Sequence, residues 1–564
     1  MNAKDILAKY FGYTNFRLKQ EEIINEVIAQ KDVLALLPTG GGKSICYQVP
    51  ALMQEGICIV ISPLIALMHD QILFLQSKGI KSISISGNMN YNQIENALTN
   101  CIYGGVKFLY LSPERLQSKL VQSKLEMMNV NLIAIDEVHC ISEWGHDFRP
   151  SYRHINIVRS ICKAAPILAL TATATLDVIN DIKENLTFKN YRIIKSSFQR
   201  KNLSYIIDQT QNKTDKLLQL VEKIKSSVIV YVSKRKDTKD IAYLLSKNNY
   251  SASFYHAGLA LNLRKDRQKK WLNNEIRILV ATNAFGMGVN KKDVKLIVHM
   301  NLPPTIEAYF QEAGRAGRNG EKAYSFLLAN QNDIERQKKL LALKYPNIKK
   351  IKETYQNLAN FLQIAENILP QEPLSFNIVE FSKRYKTSNL NTYYTLQYLE
   401  KEEHLNVSYI IKPYSRLIIT VNKTDLYRFQ ISNKYYDNFI KTLLRLYPNI
   451  FNNLINIKEE EIAKKYNKEI AEIQLILKKL EALEILRYIP KDNNPKITFL
   501  QARKDINNLY FDLERWKTRK EYAKKKLINL EEFIFSNKCR ERTLLHYFGE
   551  NKQDNCGKCD YCTQ

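Results

Sequence analysis

The chain has no long apolar run. Its longest, residues 56–68, is broken by Pro63 and falls short of the roughly 20 residues a membrane-spanning helix needs, so no membrane crossing is expected. The opening Met1-Asn-Ala-Lys-Asp-Ile6 lacks the apolar core of an export signal, which predicts a cytoplasmic protein with reduced cysteines and no disulfides. Acidic residues are in deficit, 57 against 84 lysines and arginines, and the net charge of +27 suits a polyanionic partner through phosphate contacts and counterion release. Lys, Asn, Ile and Tyr are all abundant, so the charge is supporting evidence only. Of nine cysteines, Cys46, Cys58, Cys101, Cys140 and Cys162 are scattered like ordinary core residues.

What is present begins at residues 32–44, where an apolar strand breaks into Gly40, Gly41 and Gly42, followed by Lys43 and Ser44. Glycines let the backbone turn its N–H groups inward, and a helix starting near Lys43 adds its positive dipole end, which together make a phosphate cradle. Lys43 is placed to meet the β- and γ-phosphates and Ser44 to hold Mg²⁺. The strict phosphate-loop pattern asks for glycine where this chain has Leu37.

A second element, Asn131-Leu-Ile-Ala-Ile-Asp-Glu-Val-His139, is an apolar strand ending in two carboxylates. Asp136 can hold a metal ion and Glu137 can orient an attacking water. A third is Gln311-Glu-Ala-Gly-Arg-Ala-Gly-Arg318, whose Arg315 and Arg318 are expected on one helix face, able to neutralise charge on a transferred phosphoryl group.

At 564 residues one core does not suffice, and roughly three or four domains are expected. Up to about residue 203, apolar runs at 32–37, 57–61, 107–111, 132–135 and 167–170 alternate with amphipathic stretches, the pattern of a parallel sheet sheathed by helices. The pattern restarts at 228–232, 251–255, 278–281 and 296–299 and ends near 346, giving a second α/β lobe over 204–346. Two winged-helix-like units follow. The first (347–430) has helices at 378–385 and 392–403 and a hairpin of 405–411 with 417–421. The second (431–503) has helices at 459–466 and 468–483 and a hairpin of 486–489 with 497–500, turning at residues 491–495. Such units bind DNA or pack on proteins, and both readings stay open. The last segment, 504–564, opens with a helix to about 537 on which Arg515, Lys517, Arg519, Lys520, Lys524, Lys525 and Lys526 crowd, either a solvated face or a track for phosphates.

Cys539, Cys556, Cys559 and Cys562 supply four thiolates in a C-x16-C-x2-C-x2-C spacing. Closed thiolate coordination favours structural zinc, with an iron–sulfur cluster as the alternative.

With these elements in place the chain resembles the RecQ family of superfamily 2 DNA helicases. The resemblance rests on Phe11-Gly-Tyr-Thr-Asn-Phe-Arg-Leu-Lys-Gln20, Leu37-Pro-Thr-Gly-Gly-Gly-Lys-Ser-Ile-Cys-Tyr-Gln48, His139-Cys-Ile-Ser-Glu-Trp-Gly-His-Asp-Phe-Arg-Pro150, Tyr255-His-Ala-Gly-Leu259, Ala281-Thr-Asn-Ala-Phe-Gly-Met-Gly-Val289 and Cys539-Arg-Glu-Arg-Thr-Leu-Leu-His-Tyr-Phe-Gly549. It implies two RecA-like lobes, with ATP, Mg²⁺ and Zn²⁺ as cofactors. Tyr13, Arg17 and Gln20 would hold adenine, Thr39 would join the phosphate loop, and Arg318 would be the arginine finger, with Gln311 and Arg315 beside it. Trp144, His146, Phe148 and Arg149 would form an aromatic-rich loop sensing single-stranded DNA, and Ser62, Ser112, Arg115, His256 and Thr282 would contact DNA. The implied activity is ATP-dependent 3′-to-5′ translocation and duplex unwinding in DNA repair and recombination, by a monomer that meets single-strand-binding or recombination proteins.

Departures are Val138 for the usual alanine, Asn290 for a common acid, and the long insertion ahead of the cysteines, where the resemblance places a winged helix after them. The two inserted units are expected to substitute for it. Competing readings are an RNA helicase, a translocase that does not unwind, and a scaffold with a degenerate ATP site. Intact Lys43, Asp136, Glu137 and Arg318 speak against the last.

Overall fold

The computed structural model describes residues 2–85, 89–145, 148–285, 291–408, 414–492 and 494–563. Met1–Leu341 with Glu514–Gln564 form one compact unit, and Ala342–Leu513 form another.

The first unit holds two sheets. Strands β1 (Val33–Leu36), β2 (Ile57–Ile61), β3 (Ser82–Ile85), β4 (Phe108–Leu111), β5 (Val130–Ile135), β6 (Ile167–Thr171) and β7 (Arg192–Lys195) build the first, in the order β3-β4-β2-β5-β6-β1-β7 with every pair parallel. The inner strands are apolar but for Asn131 in β5 and Thr171 at the end of β6, because helices cover both faces. Asp32, just before β1, is buried, and its carboxylate accepts from Arg159 Nη2 at 2.6 Å and from the N–H groups of Ile167 at 2.8 Å and Lys189 at 2.6 Å. This ties β1 to the strands on either side of it.

The second sheet takes β8 (Leu203–Gln209), β9 (Ser227–Tyr231), β10 (Ala252–Tyr255), β11 (Ile278–Ala281), β12 (Val294–His299) and β13 (Ala323–Ala329), in the order β10-β11-β9-β12-β13-β8, also parallel throughout. In parallel α/β sheets, binding groups gather beyond the carboxyl ends of the strands. The glycine loop follows β1, the carboxylate pair follows β5, and the arginines lie between β12 and β13.

The second unit corrects the two hairpins expected from sequence. Its strands are β14 (Leu374–Ser375), β15 (Leu405–Ser408), β16 (Ser415–Ile419), β17 (Ile455–Ile457), β18 (Leu486–Ile489) and β19 (Lys496–Phe499). β15 pairs with β19 and β16 with β18, so among the described residues neither expected hairpin forms between neighbours in sequence; residues 409–411 of the first expected strand lie outside the described residues. One winged helix runs through the helices Ile348–Phe361, Ile378–Arg384 and Asn389–Lys401, with β14-β19-β15 as its sheet. A second, with sheet β17-β16-β18, is inserted where the wing of the first would turn.

The two have the same sheet plan, but in the outer one the central strand comes last in sequence and in the inner one it comes first. The inner domain has its own core, including Leu417, Phe439, Ile473, Leu477 and Tyr488. Its ends are tied where Lys491 N–H donates to Ser415 Oγ at 2.7 Å, and Ser415 in turn donates to buried Glu459, which also accepts from the Tyr488 hydroxyl. The boundary expected at residues 430/431 falls inside the helix Lys423–Ser432. The turn expected at 491–495 contains Asn493, which lies outside the described residues, and Lys496–Phe499 after it pairs in the outer sheet and not with β18.

Asn406 faces Thr498 across β15 and β19. Paired strand positions lie roughly 4.5–5.5 Å apart at Cα, within disulfide reach. The double variant Asn406→Cys/Thr498→Cys should therefore cross-link on mild oxidation, and Asn406→Cys/Asn422→Cys, the pair that a hairpin of 405–411 with 417–421 would bring together, should not. The opposite pattern, read by non-reducing mass mapping, would restore the local hairpins.

Candidate nucleotide site and its supports

After β1 the backbone turns at Gly40 (φ +82°) and Gly42 (φ +73°), conformations costly to any residue with a side chain. A β-carbon at Gly42 would also lie 2.3 Å from Gln20 Nε2. That amide donates to the carbonyls of Gly41 (3.0 Å) and Gly42 (3.1 Å), while Gln20 Oε1 accepts from Arg17 N–H at 2.9 Å. Gln20, expected to read adenine, is here bonded to the loop itself. Tyr13 is exposed, with the Arg17 guanidinium 5.8 Å from its ring centre. Leu37, the departure from the strict pattern, is fully buried as a continuation of the strand core. Ser44 precedes the helix Ile45–Met53.

Asp136 leaves β5 with its N–H on the Ile61 carbonyl at 2.9 Å, and Glu137 is held in a left-handed conformation (φ +47°). Lys43 Nζ lies 2.9 Å from Glu137 Oε1. His139 Nδ1 lies 3.4 Å from the other Glu137 oxygen and 2.9 Å from Thr171 Oγ1. Burial pushes Asp136 up to about 6, against the pull of Lys43 and with help from Glu137. For Lys43, burial acts downward, but the carboxylates of Glu137 and Asp136 outweigh it and hold the amine above its ordinary value. A bound divalent cation would relieve the crowding of Asp136 and Glu137, so Asp136 fits as a Mg²⁺ ligand.

The arginine pair is placed differently from the sequence expectation. The helix Ile306–Ala313 stops at Gly314, so Arg315 and Arg318 sit in a turn and not on a helix face. Gln311 and Arg315 are buried. The turn lies on the glycine loop: a β-carbon at Gly40 would be 3.4 Å from Arg318 Cγ, and one at Gly314 would be 3.3 Å from Thr39 Cβ. Burial, then the nearby Arg315 and Arg200, push the Arg318 guanidinium down to about 9, the mark of a cationic pocket that an anion would complete.

Two residues that the sequence reading missed hold this turn. Arg200 and Asn202, between β7 and β8, donate to its backbone carbonyls. No spacing rule marks such residues, because their partners are main-chain atoms.

Ser62, Ser112, His256 and Thr282 each immediately follow a strand (β2, β4, β10 and β11), and Arg115 lies in the turn after Ser112. All therefore stand at the carboxyl edges of the two sheets. Burial, then Arg235, Lys239 and Arg267, hold His256 below its ordinary value, a cationic corner suited to phosphate. In the aromatic-rich loop, the Arg149 guanidinium donates to the Pro63 carbonyl at 2.7 Å, and Arg153 lies over the Phe148 ring at 4.9 Å. His146 lies outside the described residues, as does Asn290.

Trp144 packs on Tyr522 of the basic helix Leu513–Phe535, with ring centres 5.0 Å apart. Glu143 is ion-paired with Arg153, Arg515 and Arg519. Lys526 donates to the Trp144 carbonyl at 2.7 Å and pairs with Glu307 at 2.9 Å. The helix expected as a solvated face or phosphate track thus turns Arg515, Arg519 and Lys526 onto protein, while Lys517, Lys520, Lys524 and Lys525 are exposed.

The sulfurs of Cys539, Cys556, Cys559 and Cys562 lie within 4.8 Å of one another, with Cys556–Cys562 at 3.9 Å and Cys559–Cys562 at 3.4 Å. Zn–S bonds of about 2.3 Å give tetrahedral edges of about 3.8 Å, so the set fits one zinc ion. A cluster of several iron and sulfide atoms would hold its thiolates further apart.

Family models place these parts. The DEAD/DEAH box helicase model matches residues 17–182 and the helicase conserved C-terminal domain 212–320. The RecQ helicase winged-helix domain of Bacteroidota matches 417–490, which is the inner winged helix, and RecQ zinc-binding matches 501–563.

Among curated proteins, the probable ATP-dependent DNA helicase RecS of Bacillus subtilis is 38% identical over 67% of this chain and 77% of its own length. The ATP-dependent DNA helicase RecQ of Bacillus subtilis is 43% identical over 60% of this chain, and the match spans 58% of that protein. The putative ATP-dependent RNA helicase R290 of Acanthamoeba polyphaga mimivirus is 42% identical over 60% of this chain and 62% of its own length.

Cys559→Ser should abolish bound zinc, read by elemental analysis, and lower the melting temperature, since closed thiolate sites supply folding energy. Iron in the wild-type protein, or zinc retained by the variant, would contradict the assignment.

Proposed function

The chain belongs to the RecQ family of DNA helicases, and from that premise we propose that it is an ATP-dependent helicase that moves 3′ to 5′ along single-stranded DNA and separates the duplex ahead, in DNA repair and recombination. The observation that carries this reading is the arginine turn of the second sheet resting on the glycine loop of the first.

The glycine loop would wrap the phosphates, the Gly41 N–H first leaving the Pro38 carbonyl it meets at 2.8 Å, with Thr39 in the same loop, and Lys43 would neutralise the β- and γ-phosphates. Ser44 and Asp136 would hold Mg²⁺, which would supply positive charge against the phosphates. Tyr13 and Arg17 face the base, and Gln20 reads it after giving up its bonds to the loop. In the chain as it stands, Lys43 is paired with Glu137. When a triphosphate draws Lys43 away, the Glu137 carboxylate is released to orient the attacking water, so substrate binding and base activation are one event. His139, bonded to Thr171, keeps Glu137 in place. Arg318 meets charge developing on the γ-phosphoryl group, beside Gln311 and Arg315.

DNA lies along the carboxyl edges of the two sheets, where Ser62, Ser112, Arg115, His256 and Thr282 stand. Trp144, Phe148 and Arg149 report its presence, because their loop begins one turn after Glu137. Closure of the two sheets on ATP and release after hydrolysis would step the chain along the backbone.

The test is unwinding of 3′-tailed and 5′-tailed DNA duplexes beside an RNA–DNA hybrid, with Lys43→Ala as control. The 3′-tailed DNA substrate should be opened in an ATP-dependent manner. Lys43→Ala should bind DNA normally and turn over no ATP. Opening of RNA in preference to DNA would move the protein to the RNA reading, and turnover near wild type by Lys43→Ala would remove the glycine loop from the chemistry.

A further inference from the structure

The segment that joins the two sheets, residues 196–202, is more than a tether. Arg200 Nη1 lies 3.4 Å from the Thr39 carbonyl in the glycine loop and 3.2 Å from the Gly314 carbonyl, and Nη2 donates to the carbonyls of Ala316 (2.9 Å) and Gly317 (3.0 Å). One planar guanidinium therefore holds both the loop that would cradle phosphate and the turn that carries Arg315 and Arg318. Two residues along, Asn202 Nδ2 donates to Gly317 O and Glu321 O, both at 2.7 Å. Gly317 is required there, since its φ is +64° and a β-carbon would come 2.4 Å from that amide.

The segment is in turn gripped by the cysteine module. Lys558, between Cys556 and Cys559, donates to the carbonyls of Arg200 (2.6 Å) and Lys201 (2.9 Å) and pairs with buried Glu541 at 2.8 Å. Glu550 accepts from Phe198 N–H at 2.6 Å and Ser197 Oγ at 2.8 Å. The Phe198 ring packs between Phe548 of the module and Phe310 of the helix leading to the arginine turn, at 5.2 and 6.0 Å.

We propose that Arg200 is a positioning residue of the nucleotide site, fixing the Arg318 turn against the glycine loop, and that the zinc module sets where Arg200 stands. This rests on the reading of Arg318 as the group that neutralises charge in the transition state. The guanidinium fork matters because its N–H groups reach carbonyls on two segments at once, which the single ammonium of a lysine cannot do with the same geometry. The zinc module then acts on ATP chemistry without touching ATP. Its rigidity passes through Lys558 and Glu550 to the backbone of the joining segment, and through Arg200 to both halves of the site.

The experiment is a cycle of steady-state ATPase measurements on the full chain with saturating single-stranded DNA. Arg318→Ala should lower kcat about a thousandfold. Arg200→Ala should lower kcat by about tenfold to a hundredfold, the cost of a misplaced catalytic group, with KM for ATP within about threefold of wild type. The double variant should be no slower than Arg318→Ala alone, because a residue that acts through Arg318 has nothing left to position. Should Arg200→Ala not fold, Arg200→Lys carries the same cycle, and it is expected to keep the melting temperature while losing kcat. Lys558→Met should lower kcat in the same sense with zinc content unchanged. An unaltered kcat in both Arg200 variants, or a double variant whose loss is the product of the two single losses, overturns the proposal. An inert Arg318→Ala would instead refute the arginine-finger reading, and this inference would fall with it.

Discussion

The structure of the first unit depends on one electrostatic constraint: cations from separate parts of the chain meet at a turn of glycines. Lys43 stands in the loop, Arg318 and Arg315 come from the turn after the helix Ile306–Ala313, and Arg200 comes from the segment joining the sheets. Bringing like charges together out of water is unfavourable unless something answers them. Here Glu137 answers Lys43, and backbone carbonyls answer Arg200. Burial, then the neighbouring Arg315 and Arg200, hold the Arg318 guanidinium below its ordinary value, and a triphosphate in the proposed site would relieve that crowding. The parallel topology serves this arrangement, since it sends the carboxyl ends of both sheets, with their loops, to the same place.

The C-terminal segment works as a brace with two grips. Its basic helix holds the aromatic-rich loop through Glu143 and Trp144, and its cysteine module holds the joining segment through Lys558 and Glu550. Glu143 is shared by three arginines and is mostly buried, so it is the loss of Glu143 itself, not of any one arginine, that would release the loop from the helix. Both grips fall on segments that neighbour the nucleotide site, one just after Glu137 and the other at Arg200. The basic residues of this helix therefore divide in two: Arg515, Arg519 and Lys526 fix the loop, and Lys517, Lys520, Lys524 and Lys525 are exposed.

Much of this was legible in the sequence, and what was not follows a physical rule. Most inner strands of both sheets were readable because strands buried on both faces are largely apolar, though β13 (Ala-Tyr-Ser-Phe-Leu-Leu-Ala), interrupted by Ser325, was missed. Of the edge strands β10 was read, while β3 (Ser-Ile-Ser-Ile), β7 (Arg-Ile-Ile-Lys) and β8 (Leu-Ser-Tyr-Ile-Ile-Asp-Gln), with their polar residues, were missed. The glycine loop, the carboxylate pair and the cysteines carry their chemistry in short spacings, and the structure assembles each of them. Arg315 and Arg318 were read as helical on periodicity, but Gly314 and Gly317 end the helix between them and Gln311. The nested winged helices were hidden because hairpin rules are local. Nothing near β15 announces that its partner, β19, lies beyond an entire inserted domain. Arg200 and Asn202 were invisible for a different reason, since side chains that bind backbone carbonyls impose no residue type on their partners.

The central claim is that one site joins ATP hydrolysis to the sensing of single-stranded DNA. It is tested most directly by measuring phosphate release from the purified protein with and without single-stranded DNA, for the wild type and for Trp144→Ala. The account predicts low turnover alone, strong stimulation by DNA in the wild type, and a variant whose basal turnover is retained while the stimulation is largely lost. Turnover that is indifferent to DNA, or a variant stimulated as fully as the wild type, would contradict it.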